Sequence, residues 1–421
     1  MKKLFFVVSL ISFCLCVSAC APVKQAKPLK QTKPLKVYIL SGQSNMQGQG
    51  LYTTYSHIAM DPATKPMYDK MFKEDGTARV FDNVYISTLG CAKGETNKYL
   101  GEKSGKLTTG YGSYRRGEKI GPELTFGIYM QEHLNEPILL IKPCWGGKSL
   151  YLDYRPPSAG LYEFAPGVEP NDKMLEQRRK ASGVFYRMMI DHVKKVLADI
   201  KSVYPDYDPK LGYKVEGFVW FQGCNDFGDN QTYPNKGQAG CYDEYSRLLA
   251  CLIRDVRKEV NAPDMKAVIG VIGLNGELET ERPRKIVPEY ISWLKIFRKA
   301  MAAPASMPEF KGDVSAVYTE KYWDSKLEEL ICRGDKIKAK ENELKKQQVA
   351  HLEKKPRLRR MRLNAENQAK LDAYRKTIFT EEETELLMNA TSNAVYHYMG
   401  SAKIYGRIGK GFAEAMIKVS K

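Results

Sequence analysis

The chain has 421 residues, 43% hydrophobic and 27% charged, and its 66 Lys+Arg against 49 Asp+Glu give a formal net charge of +17. That balance excludes wholesale disorder, and 33 glycines and 21 prolines exclude a collagenous or low-complexity chain. The length admits two or three domains, or one elaborated α/β domain with a core of good size.

In chain order, residues 1–20 read as a leader. Lys2 and Lys3 are a basic start, residues 4–17 an apolar run, and Ser18-Ala19 a small-residue cleavage site. The run is too short to span a bilayer, which takes about 20 residues. Val17-Ser18-Ala19-Cys20 resembles a bacterial lipobox, which makes Cys20 the lipidated N-terminus of an exported, membrane-anchored protein; an ordinary secretory signal is the other reading. Residues 21–36, with a repeated KPLK, are expected to form a Pro/Lys tether to a body spanning 37–421.

From residue 37 the pattern alternates strands and helices. The runs 37–40 (VYIL), 83–87 (NVYIS), 138–142 (ILLIK), 217–221 (GFVWF) and 267–272 (AVIGVI) suit parallel strands buried on both faces. Helices are predicted over 123–134, 184–203, 242–260 and 401–419. This is an α/β chain with a doubly wound parallel sheet, and ligand is expected beyond the carboxyl ends of the strands. Two insertions interrupt it: 90–121, rich in Gly, Lys and Tyr, is expected as a loop at that rim. The second, 321–387, is expected as a charged helical hairpin without a core of its own.

Six cysteines lie beyond the leader, at 91, 144, 224, 241, 251 and 332, with no CxxC pair and no neighbouring His. A zinc site is not expected, and disulfide pairing cannot be read from the spacing. Much of the positive excess lies between Lys326 and Lys376, interleaved with Glu and Gln, as on a solvated helix face. Export weighs against nucleic acid, leaving an anionic glycan or lipid headgroup as the other reading of the charge.

Four segments carry chemistry. Ser44, in Gly42-Gln43-Ser44-Asn45-Met46, follows the first strand as an exposed nucleophile would, though Ser also caps helices. Gly146-Gly147 follows the third strand, where a backbone N–H can meet an oxyanion. Asn225, in Gln222-Gly223-Cys224-Asn225-Asp226, follows the fourth and brings a side-chain amide to the same rim. His397 precedes the last helix as a general base. His57, His133, His192 and His351 are expected to be structural or solvated. Glu123, in GPEL, begins a helix, where a carboxylate complements the dipole.

Ser44, Gly146-Gly147, Asn225 and His397 fall in the chain order of the SGNH hydrolases. GQSNM, IGPELTFG, LLIKPCWGGKSL and VWFQGCND together resemble the sialate O-acetylesterase and acetylxylan esterase family of carbohydrate esterases. The resemblance implies a flavodoxin-like three-layer fold and hydrolysis of O-acetyl groups on sialic acid, xylan or a related glycan, with no cofactor. It implies that Ser44 attacks the acetyl carbonyl and that His397 moves the proton. The N–H of Ser44, Gly146 or Gly147 and the Asn225 amide would hold the oxyanion. Gln43, Gln222 and Trp145 are expected to contact substrate, with Tyr111 and Tyr114 as further stacking rings. The family's usual acids are missing, since their positions hold Ala394 and Cys224. Asp226 is the nearest carboxylate to the motif and is expected as the third catalytic member; Asn393 as a neutral partner, or a backbone carbonyl, are the alternatives. A catalytically impaired glycan-binding relative and a short-chain lipase or thioesterase are the competing readings of function. With an unperturbed His397 as base, activity should fall as pH drops through about 6.5.

Overall fold

The computed structural model of the protein describes residues 29–95, 97–278, 286–352, 357–358 and 361–421. The leader and Cys20 lie outside the described residues. Of the expected tether, 29–36 are described and lie against the body. Leu29 N donates to Asn83 Oδ1 at 2.7 Å and Gln31 Nε2 to the Gly212 carbonyl at 3.0 Å.

Nine strands are described: β1 (Leu35–Gly42), β2 (Gly50–Leu51), β3 (Phe81–Leu89), β4 (Glu102–Leu107), β5 (Lys119–Ile120), β6 (Ile138–Pro143), β7 (Tyr213–Phe221), β8 (Lys266–Val271) and β9 (Val314–Tyr318). Seven form one sheet in the order β4-β3-β6-β1-β7-β8-β9, while β2 and β5 make a short antiparallel ribbon. Every pairing in the large sheet is parallel except that of β4, which runs antiparallel on β3.

The central strands are apolar throughout because both faces are covered. Along β1, Val37 and Ile39 face a core shared with Phe185, Val193 and Leu248; Tyr38 and Leu40 face one shared with Leu124, Phe126, Ile404 and Phe412. Helices Val184–Ala198, Asp243–Glu259 and Pro288–Ala302 supply the first layer, and Glu123–Leu134 with Ala402–Val419 the second. The result is a three-layer α/β fold with a mostly parallel sheet. The chain leaves β1 toward β3 and β6, then crosses β1 to β7 and continues toward β9. The switch point therefore falls between β1 and β7, where such sheets bind ligand.

Two expectations on the insertions are corrected. The 90–121 segment is not simply a loop, since it contains β4 and β5. The 321–387 segment holds three helices, Ser325–Gln348, Ala365–Ile378 and Glu381–Ala390, and has a small core of its own in Leu330, Ile337, Leu344, Leu371 and Phe379. Among the described residues, Cys91 and Cys144 come together at the ends of β3 and β6, with sulfurs 3.5 Å apart. No described helix is long and apolar enough to cross a membrane.

Candidate active site

At the end of β1 the backbone turns sharply. Gly42 has φ +148°, and a Cβ there would stand 2.1 Å from the Phe221 carbonyl oxygen, so only glycine lets β1 pass β7 this closely. The Gly42 carbonyl accepts from Trp145 N at 3.2 Å and Tyr154 OH at 2.7 Å, which ties β1 to the loop after β6. Ser44 then opens the short helix Ser44–Gln47.

Ser44, Gly146, Gly147, Asn225, Asn393 and His397 line one cavity of about 910 Å³ above the strand ends. Four segments distant in sequence thus meet at the switch point. A Cβ on Gly146 would lie 3.4 Å from Ser44 Cβ, whereas one on Gly147, φ +73°, would meet nothing within 4 Å. Of the two glycines, Gly146 is the one that flanks Ser44.

The hydrogen bonds fix which way each amide points. Gly223 N–H can only donate, so the Gln43 atom 3.0 Å from it is Oε1. Gln43 Nε2 then faces Asn225 at 3.2 Å and must meet Oδ1. The Asn225 NH₂ is left to donate elsewhere, which suits a nascent oxyanion. A second relay sets the imidazole. The Ser44 carbonyl can only accept, so Gln49 presents Nε2 to it at 3.4 Å and Oε1 to Asn393 Nδ2, also at 3.4 Å. Asn393 Oδ1 accepts from Ala394 N at 2.8 Å and lies 3.1 Å from His397 Nδ1. An acceptor at Nδ1 requires the proton there and leaves Nε2 as the basic nitrogen.

The His397 loop is bound to the serine helix as well. Asn45 Nδ2 donates to the Tyr396 carbonyl at 3.2 Å, and the Tyr405 hydroxyl reaches Asn45 Oδ1 at 2.7 Å and the His397 carbonyl at 3.2 Å. Directly after the histidine, Tyr398 (φ 49°) and Met399 (φ 60°) are left-handed, a strained conformation for residues with side chains. Both are fully buried, and packing holds them there. Burial, assisted by the nearby Lys119 ammonium, pushes the His397 imidazole down to about 4. It is therefore neutral at pH 7, as a base must be.

Three expected site residues have other work. Asp226 is fully buried; its oxygens accept from Leu150 N at 2.9 Å, Tyr151 N at 3.0 Å, Gln222 Nε2 at 2.5 Å and Tyr233 OH at 3.4 Å. It braces the glycine loop from below, while Asn393 occupies the imidazole position where the third member was expected. Burial lifts its carboxyl to about 7 against the pull of those donors. Gln222 is 1% exposed and bonded to the Lys148 carbonyl, Asp226 and Tyr245, so it supports the loop and does not reach substrate. Trp145 borders the cavity but is 1% exposed; its Nε1 donates to the Tyr99 carbonyl and it packs on Tyr154 and Phe185, so it serves chiefly as packing in the cavity wall. Tyr114 borders the cavity; Tyr111 is buried with its hydroxyl on the Lys106 carbonyl. Cys224 lines the cavity, but burial pushes its thiol up to about 12, which leaves it un-ionised.

Sequence reasoning missed two supports. Lys142 and Glu123, both fully buried, form an ion pair at 2.6 Å, and Lys142 Nζ also donates to the Gln47 carbonyl at 2.9 Å, closing the end of the serine helix. The signal was a lysine ending the apolar run ILLIK. Gln49, the link between Ser44 and Asn393, carried no comparable signal. Among the described residues no cluster of His, Cys, Asp and Glu is placed to hold a metal.

No curated protein matches the chain. Among solved structures, a protein from Arabidopsis thaliana is similar at 14% identity and TM-score 0.36, over 68% of this chain and 86% of that one. A carbohydrate acetylesterase from Xanthomonas citri is similar at 13% identity and TM-score 0.38, over 71% of this chain and 56% of that one. Likenesses this weak say nothing about chemistry. The family model described as carbohydrate esterase, sialic acid-specific acetylesterase, matches residues 34–296, which include Ser44, Gly146 and Asn225 but not His397. With more than half its length matched, the chain belongs to this family of carbohydrate esterases.

Proposed function

We propose that the protein hydrolyses O-acetyl esters on carbohydrate through an acetyl-enzyme on Ser44. The observation that carries this is the relay from Gln49 through Asn393, which presents a neutral His397 with Nε2 basic in the cavity that Ser44 lines. His397 takes the Ser44 proton as the hydroxyl oxygen attacks the acetyl carbonyl, and returns it to the departing sugar oxygen. The oxyanion is held by the Asn225 amide and the backbone at Ser44 and Gly146. Water, deprotonated by His397, then releases acetate and frees Ser44.

The test is acetate release from O-acetylated sugars, with Ser44→Ala and His397→Ala alongside. Each substitution is expected to lower kcat by about 10³-fold or more. Release by the wild type no faster than by Ser44→Ala would favour the second reading, a glycan-binding relative without turnover. That reading is motivated by the neutral amide beside the imidazole. Export and lipid attachment at Cys20 belong to the same proposal and rest on the leader sequence. Cys20→Ala is expected to move the protein out of the membrane fraction of an expressing cell.

A further inference from the structure

The charged residues that line the candidate site are all of one sign. Lys98, Arg115 and Arg116 border the cavity, all three exposed, and no aspartate or glutamate lines it among the described residues. None of the three cations has a carboxylate partner among the described residues. Lys98 Nζ lies 4.9 Å from the Tyr99 ring centre and the Arg115 guanidinium 5.8 Å from that of Tyr114, contacts that leave their charge available. Neighbouring Glu118 is engaged elsewhere, accepting from Tyr55 OH at 3.4 Å.

The two arginines do not sit on a loose loop. Arg116 (φ 66°) and Gly117 (φ 105°) form a left-handed turn, and the buried Lys119 ammonium donates to the Ser113 and Arg115 carbonyls behind it. Ser113 N donates to the Gly48 carbonyl at 3.0 Å and Tyr52 N to the Glu118 carbonyl at 3.0 Å. β5 pairs with β2, immediately after the serine helix. The arginine turn is therefore anchored to the nucleophile's own loop, and its distance from Ser44 is built in. Three uncompensated cations spread along a rim exceed what one carboxylate needs, since a single guanidinium binds a carboxylate in bidentate fashion. The cavity, at about 910 Å³, is at the upper end of the range for small-molecule sites.

We propose that the acetylated sugar reaches Ser44 as part of a polyanionic glycan, with carboxylate or sulfate groups on its flanking units held by Lys98, Arg115 and Arg116. This rests on the O-acetylesterase reading above and adds the class of chain on which the ester is carried.

The experiment measures kcat/KM for acetate release by the full chain in neutral detergent, on four O-acetylated substrates. These are xylan (neutral), polygalacturonate (carboxylate), dextran sulfate (sulfate) and free sialic acid (a single charge). The polyanion preferred between the second and third identifies the anion. At low salt at least one polyanion is expected to exceed both xylan and sialic acid by about tenfold or more, a gain that should shrink as salt screens the rim. Replacing the rim by Lys98→Gln, Arg115→Gln and Arg116→Gln together should bring the polyanion-to-xylan ratio close to one; Arg115→Glu alone should lower it in the same direction. Binding to unacetylated polygalacturonate and dextran sulfate is read separately by calorimetry on Ser44→Ala protein, with and without the rim substitutions. Rim-dependent binding without acetate release from any substrate would sink the esterase reading and leave the polyanion inference standing. Acetate release that is equal on all four substrates and indifferent to salt would overturn the inference alone. So would rim-dependent binding to anionic lipid vesicles with no rim-dependent binding to either polyanion.

Discussion

His397, the proposed base, shows how much of a side chain's titration comes from its surroundings. An exposed imidazole titrates near 6.5, which would place an acid limb of activity inside the physiological range. Burial and the positive field of Lys119 hold this one down to about 4. A base works while unprotonated, so its activity is present above the folded pKa and lost as pH falls through it. The acid limb of kcat/KM is therefore expected near pH 4, to within about a unit, and Lys119→Gln should move it upward; a limb near 6.5 in the wild type would contradict this. Its partner gives a second test. Asn393→Ala removes the acceptor that selects the Nδ1–H tautomer and is expected to lower kcat by about 10²-fold. Asp226→Asn replaces a carboxylate that accepts from two backbone N–H groups, so it should lower Tm while kcat of the folded protein changes by less than about tenfold. If Asp226→Asn were the more damaging to kcat, the carboxylate would belong to the catalytic group after all.

The same contrast explains, at the level of elements, what the sequence disclosed. Ser44, Gly146 and Asn225 were legible because each follows an apolar strand, and parallel strands bring their carboxyl ends to one rim. That Asp226 and Gln222 turn away from the cavity was not legible, because adjacency in sequence does not say on which side of the strand end a side chain emerges. In the short helix Cys224–Gly228, Asn225 is exposed at the cavity while Asp226 turns fully into the core. β4, with the sequence EKSGKL, was invisible to hydrophobic pattern because it is an antiparallel edge with a polar surface. The second core under the 325–390 helices arises from residues some 40 positions apart, Leu330 and Leu371 among them, beyond the reach of periodicity. The ion pair under the serine helix offers a prediction on this scale. Breaking it with Glu123→Gln leaves the Lys142 ammonium fully buried without its counter-charge, expected to cost about 3–5 kcal/mol in urea unfolding. Adding Lys142→Met should recover part of that loss, because the unpaired charge is then gone; no recovery would mean that the lysine's bonds to the Gln47 and Tyr111 carbonyls matter more than its charge.

For the whole molecule, the telling fact is that the family match ends at residue 296 while the fold and the site do not. β9, the charged helices, His397 and the helix Ala402–Val419 all come later. That last helix packs along Glu123–Leu134 and places Ile404, Tyr405, Ile408, Phe412 and Met416 in the core, each with no measurable exposure. At roughly 1.5–3 kcal/mol for each large apolar side chain, these five contribute on the order of 10 kcal/mol. A whole domain is stable by only about 5–15 kcal/mol. A chain ending at 296 would thus expose one face of the sheet and lose most of its margin along with the proposed base. It is expected to keep some secondary structure but to bind a hydrophobic dye, lack a cooperative thermal transition and release no acetate. A cooperative transition in that fragment would show that the sheet is held by the other layer alone. The C-terminal third would then be needed for His397 only, and adding residues 297–421 as a separate chain should restore acetate release without changing the transition. Restoration of both together is the outcome the packing predicts, since the helix that covers the sheet is the one that fixes the histidine loop through Tyr405.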